Sequence, residues 1–177
     1  MGLSARASYR PPILSAALTD RVAIDPGILV RAESEVTRVY GTIGVVLMWK
    51  ETVDVTSDCH VRIIVAPTAI RSKDLNAGAL GLTPQTANGR ARTGYVFYDR
   101  VVQVGSLYGV DVAAILGLVI AHEIGHMLLP DGRHAQRGVM KQKWDLSQAV
   151  RAQIGALAFS KREAELIRSR AMGCQAP

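Results

Sequence analysis

Residues 112–121 are ten consecutive apolar or small residues, and His122 and Glu123 follow them at once. The run is too short for a membrane span, which needs about 20 apolar residues. A helix over about 111–129 is predicted, apolar nearly all round, as suits a helix through the middle of a domain. Pro130 ends it, because the residue before a proline is pushed out of the α region. Such a helix must be covered on every side by the rest of the chain. With 177 residues, 49% of them hydrophobic and 20% charged, the chain is long enough for one globular domain with a real core. Only 5% are aromatic, so the core is expected to rest on Val, Ile, Leu and Ala.

The covering elements can be sketched from local signals. Residues 1–23, with Pro11, Pro12 and Asp20, read as an extended N-terminal arm along the surface, and residues 24–177 as the functional domain. Asp25-Pro26 is a helix start, a capping residue before proline at the first helical position. Ile28, Leu29, Ala32, Val36 and Val39 then recur at helical spacing to about Tyr40, and Gly41 and Gly44 end the helix. Residues 45–49 and 60–66 are short Val- and Ile-rich runs expected to be strands of one sheet, with Ser57-Asp58 turning between them. Residues 69–76 read as a loop or short helix, 79–83 as a third, short strand, and 84–93 as a polar loop around Asn88-Gly89. Residues 95–98 read as another strand, since aromatic and β-branched side chains suit a pleated sheet. Two helices are expected after Trp144, over about 147–157 and from Ser160 to about Ala171. Ser160 and Glu163 have the spacing of a capping box. The predicted class is α+β, one mixed sheet with a buried central helix and C-terminal helices.

Charge and cysteine content restrict the partners. Lys and Arg outnumber Asp and Glu by 21 to 15, a net charge of +6. The surplus is dispersed, with modest concentrations at Arg90 and Arg92, 133–143 and 161–170, as on a solvated surface. Net charge alone motivates a nucleic-acid binder, and the chain lacks aromatic interleaving or a reading motif. No nucleic-acid or membrane partner is expected, and a monomer is. Cys59 and Cys174 form no C-x-x-C pair, so no zinc knuckle is indicated, and sequence leaves open whether they are thiols or a disulfide. No export signal is read in residues 1–23. Localisation stays open between a cytoplasmic protein and a secreted one whose signal is missing from this chain.

The chemistry concentrates on the central helix. His122 and His126 are four residues apart, so both imidazoles project from one face about one turn apart and can bind one metal ion. Glu123 adjoins the first and can reach a water at the metal as general base. Catalytic zinc takes three protein ligands and keeps an open position. His134 is the candidate third ligand, returned to the metal by a turn through Pro130-Asp131-Gly132. The chain has four histidines, and three lie within thirteen residues. A chance match would leave two imidazoles and a carboxylate unpaired on an apolar helix, which is costly; a metal removes that cost.

His122-Glu123-Ile124-Gly125-His126, then His134, then Gly138-Val139-Met140 resembles the metzincin clan of zinc peptidases. The resemblance is close over about 110–140. It implies a zincin-like single domain with a twisted mixed sheet, one catalytic zinc ion on His122, His126 and His134, Glu123 as general base, and Met140 as the methionine of the Met-turn beneath the metal. The chain departs from the clan pattern in four respects. Leu129 stands where the clan has glycine, His134 follows His126 by eight residues where six are usual, Met140 follows His134 unusually soon, by only six residues, and no tyrosine follows Tyr108. These mark a compact or divergent branch.

The activity expected on this basis is zinc-dependent endopeptidase cleavage of a peptide or protein. Zinc would acidify a bound water, and Glu123 would take its proton and deliver it to the leaving amine. Tyr95, Tyr98 and Arg137 are candidate donors to the developing oxyanion. By the same resemblance, residues 79–83 are the candidate edge along which an extended substrate pairs. The alternatives are a zinc-binding non-catalytic homologue or binding protein, and a zinc peptidase whose third ligand is Glu163 or Glu165. His60, in a predicted strand, reads as an ordinary histidine and Asp131 as a turn residue.

Overall fold

The computed structural model describes residues 10–68, 78–84, 91–129, 134–143 and 145–173. The chain runs β1 (Ile13–Asp20), α1 (Pro26–Gly41), β2 (Val46–Trp49), β3 (His60–Ala66), β4 (Gly81–Leu82), β5 (Thr93–Phe97), α2 (Tyr98–Tyr108), α3 (Val112–Leu128), α4 (Leu146–Gln153) and α5 (Lys161–Gly173). The sheet order is β2-β1-β3-β5-β4. Four strands run parallel and β4 pairs antiparallel with β5 at one edge, so the sheet is mixed as expected.

The first unit, β1-α1-β2, is a parallel crossover. Asp25 starts α1: its carboxylate accepts from the backbone N–H of Gly27 at 2.8 Å and of Ile28 at 3.2 Å. Those donors have no partner inside the helix, so the cap stabilises its first turn. Ala32, Val36, Val39 and Tyr40 form its buried face. The Tyr40 hydroxyl, fully buried, donates to the Ala121 carbonyl at 3.1 Å. This satisfies the polar tip of a buried ring and ties α1 to α3 immediately before His122.

α3 contacts α1, α2, α4, α5 and strands β3, β4 and β5. Being covered from so many sides is why it carries Ile115, Leu116, Leu118, Val119, Ile120 and Ile124 around its whole circumference. Asp111 caps it by accepting from the Ala113 N–H at 3.1 Å. It ends at Leu128, and Leu129 is already extended at φ −86° and ψ 133°, the conformation expected before a proline. No helix among the described residues is long and apolar enough to cross a membrane.

Two expectations need correction. Residues 13–20 are not part of a surface arm; they form β1, flanked by β2 and β3 inside the sheet. Leu14, Ala16 and Ala17 are buried, and a parallel strand covered on both sides reads as a plain apolar run without alternation. The neighbouring Pro11-Pro12 and the small side chains hid that run. Second, Tyr98 opens the helix α2, which sequence signals did not reveal. No side chain caps its N-terminus, and Gly105 lies inside it, where glycine weakens a helix. Its packing against α3 and α4 supplies what local propensity lacks. The last helices fall at Leu146–Gln153 and Lys161–Gly173. The capping box forms: the Ser160 N–H donates to Glu163 at 2.7 Å, and the Glu163 N–H to the Ser160 hydroxyl at 3.3 Å. The readings for 69–76, for the centre of the 84–93 loop, for Asp131 and for Cys174 fall outside the described residues.

Candidate metal centre

His122 and His126 lie on α3, and the segment after it brings His134 against them. The ring centroids of His122 and His126 are 4.6 Å apart, those of His126 and His134 4.8 Å, and those of His122 and His134 5.3 Å. Residues 134–141 form a closed loop. Ala135 N–H donates to the Met140 carbonyl at 2.8 Å, Val139 N–H to the Ala158 carbonyl at 3.1 Å, and the Gln148 side-chain amide to the Gly138 carbonyl at 2.7 Å. Fixed from α4 and from the segment before α5, the loop holds its backbone beneath α3.

The loop also sets the tautomer of His122, whose Nδ1 lies 2.8 Å from the Val139 carbonyl. A carbonyl can only accept, so Nδ1 carries the hydrogen and Nε2 presents its lone pair. That nitrogen faces Nε2 of His126 at 2.9 Å. One ligand nitrogen from each of the three rings falls within a 4.8 Å limit of the others. Tetrahedral zinc, with Zn–N bonds of about 2.0–2.1 Å, separates its nitrogens by roughly 3.3 Å, so the set fits such an ion. A backbone carbonyl holding the far nitrogen of a metal-bound imidazole is the usual supporting arrangement. Ligation also needs neutral imidazoles. Burial pushes the pKa of His122, 8% exposed, down to about 4, and burial lowers that of His134 as well.

Glu123 is more deeply enclosed, at 4% exposure. Burial raises its pKa to about 8, opposed by a hydrogen bond from the Thr83 hydroxyl to Oε2 at 2.8 Å. Its other oxygen lies against Gly81 in β4, where an added Cβ would stand 2.5 Å from Oε1 and 2.7 Å from the Tyr95 carbonyl oxygen. Only a residue without a side chain lets the edge strand come this close. Met140 is fully buried under the helix, and a Cβ at Gly125 would meet its sulfur at 2.5 Å.

The other candidates are placed as follows. Tyr95 is in β5 opposite Leu82 of the edge strand. Tyr98 starts α2, where partial burial and the charges of Asp20 and Asp25 raise its pKa. Arg137 is exposed in the loop between His134 and Met140. Glu163 is engaged at the start of α5, and Glu165 is exposed on that helix. Among the described residues, the one group of histidine, cysteine or carboxylate side chains gathered closely enough to hold a metal is His122, His126 and His134. His60 Nδ1 lies 2.9 Å from the Asp54 carbonyl at the start of β3. Sequence reasoning missed Thr83 and Gly81 as neighbours of Glu123. The only signal was that both belong to the predicted edge segment.

Solved structures share this architecture. The chain is similar to the crystal structure of archaemetzincin from Methanopyrus kandleri, with a TM-score of 0.58 and 15% identity over 96% of this chain and 99% of that one. It is likewise similar to a zinc-dependent peptidase from Methanocorpusculum labreanum, with a TM-score of 0.59 and 13% identity over 87% of this chain and 99% of that one. At such identities the likeness establishes the fold alone, a mixed α/β single domain like that of these two structures. No protein-family model and no curated protein matches the chain.

Proposed function

We propose that this chain is a zinc-dependent endopeptidase in which His122, His126 and His134 hold the ion and Glu123 is the general base. The observation that carries the reading is three imidazole nitrogens gathered within a 4.8 Å limit beside a buried carboxylate on the same helix. The shared fold supports it, since one neighbour is described as a zinc-dependent peptidase and the other as archaemetzincin.

When bound, zinc would supply Lewis-acid chemistry, acidifying a water and polarising the peptide carbonyl. The chain's own residues do the rest. His122 is oriented by the Val139 carbonyl and presents Nε2 to the ion. Glu123 accepts a proton from the attacking water and returns it to the leaving amine, a role suited to a carboxyl whose burial moves its pKa toward neutrality. Met140 forms the floor beneath the helix and acts as the Met-turn residue. β4 ends the sheet order, so an extended peptide is expected to pair with its outer edge through backbone hydrogen bonds. Glu163 as the third ligand is less favoured, because its carboxylate already caps α5.

Metal analysis and cleavage of an unfolded protein substrate test the reading together. Wild type should hold zinc, and His134→Ala should lose most of it. Glu123→Ala should keep the metal while cleavage falls about 100- to 10,000-fold. Full zinc content in His134→Ala would remove the third ligand. Cleavage at the same rate by wild type and Glu123→Ala, or by neither, would favour a non-catalytic zinc protein.

A further inference from the structure

The residues between β4 and the helix do more than close the edge of the sheet. The Thr83 hydroxyl lies 2.8 Å from Oε2 of Glu123 and 3.1 Å from the backbone carbonyl of the same residue. Two residues earlier, Gly81 gives space to Oε1, and its strand pairs with β5 at Val96 and Tyr95. One short segment, 40 residues away in sequence, therefore meets both oxygens of the carboxylate. It donates a hydrogen bond to one and supplies a wall without a side chain for the other.

Resting on the reading of Glu123 as general base, we propose that Thr83 is a positioning residue, which holds that carboxylate in its working orientation and locks it to the edge strand. A carboxylate this enclosed needs donors, and Thr83 supplies one in a fixed direction. The hydroxyl has one hydrogen and two acceptors in reach, and the charged carboxylate is the nearer. The placement also survives proton transfer. When the other oxygen carries the proton, Oε2 still accepts the hydrogen bond from the Thr83 hydroxyl, and the proton stays free to pass to the leaving amine. Because Thr83 directly follows β4, a peptide paired with that strand would be held at a fixed distance from the base. Misplacement of a reacting group by about 1 Å can cost a hundredfold in rate, so the tie should act on turnover.

Thr83→Val keeps the shape and removes the hydroxyl, whereas Thr83→Ser keeps the hydroxyl. In zinc-loaded full-length protein, Thr83→Val should lose about 10- to 100-fold in kcat, the worth of one hydrogen bond to a charged group, with KM and zinc content little changed. Thr83→Ser should recover most of the rate. In a Glu123→Gln background, Thr83→Val should cause no further loss of residual turnover, because the two residues act as one unit. A second readout does not need activity. The side-chain carboxyl 13C resonance of Glu123, identified by its absence in Glu123→Gln, should move in Thr83→Val and return in Thr83→Ser. A rise in KM at unchanged kcat, equal losses in Val and Ser, additive losses with Glu123→Gln, or an unmoved resonance would overturn the proposal. Failure of the peptidase reading looks different: wild type and Glu123→Gln would then be equally active or equally inert, and the resonance would still decide the role of Thr83.

Discussion

Substituting Gly81 by alanine places one methyl group between the edge strand and Glu123, the proposed general base. The new Cβ would stand 2.5 Å from Oε1 of Glu123 and 2.7 Å from the Tyr95 carbonyl oxygen. Relief to an ordinary separation of about 3.5 Å requires nearly 1 Å of movement from both. The carboxylate has little room to retreat, being 4% exposed and bonded to Thr83 on its other oxygen. The Tyr95 oxygen is backbone, paired into the sheet, so it does not swing aside. Overpacking of this kind costs about 1–3 kcal/mol. Replacing a strand glycine by alanine returns roughly 0.5–1 kcal/mol of that. A net loss of up to about 2.5 kcal/mol is expected, which for a chain of this size lowers Tm by up to roughly 10 °C. The effect on turnover should be larger in proportion, about a hundredfold in kcat, since the displaced group is the proposed base.

Zinc content should not change, because the three atoms nearest the new methyl belong to Glu123 and Tyr95 and none to an imidazole. Three measurements on the same preparation decide the matter: metal analysis, urea unfolding and cleavage of an unfolded protein. In a Glu123→Ala background the stability cost should shrink without vanishing, because the Tyr95 contact remains. Gly81→Ala with wild-type stability and kcat within about threefold would refute the close approach of β4 to Glu123 as a functional constraint. Loss of zinc would equally refute it, by showing that the damage had spread to the imidazoles.

Two further outcomes are expected. For the metal-free protein, His122 has a folded pKa of about 4 against an ordinary 6.5, so its contribution to stability is full above pH 6.5 and is lost as pH falls toward 4. Glu123 has the opposite sign: its folded pKa of about 8 lies above 4.5, so its contribution is present below pH 4.5 and is lost as pH rises through 8. Urea midpoints in the presence of chelator should therefore fall between pH 6.5 and 8 in wild type and stay level in Glu123→Gln; parallel curves would contradict the burial of the carboxyl. Asp25→Ala should cost about 1 kcal/mol by removing the cap of α1, and unchanged urea unfolding would show that its bonds to Gly27 and Ile28 contribute nothing.

Much of this protein was legible in the order of its residues, because short-range rules govern those parts. Asp25-Pro26 and Ser160-x-x-Glu163 mark helix starts through side chains that bond their own first turns. The apolar surround of residues 112–121 marked a central helix, and the four-residue spacing of His122 and His126 put both imidazoles on one face of it. What local rules do not encode came from tertiary structure. β1 looked like a surface arm because strand pairing is decided by partners far along the chain. α2 lacked a start signal because packing against α3 and α4 takes the place of one. His134 was a candidate by order alone, and its approach to the other imidazoles depends on the bonds that hold residues 134–141 to α3, α4 and Ala158. Thr83 and Gly81 were marked only as members of the predicted edge segment, with nothing to place them at Glu123. Contact between a sheet edge and a helix face is fixed by how the layers stack, and that depends on the whole core at once.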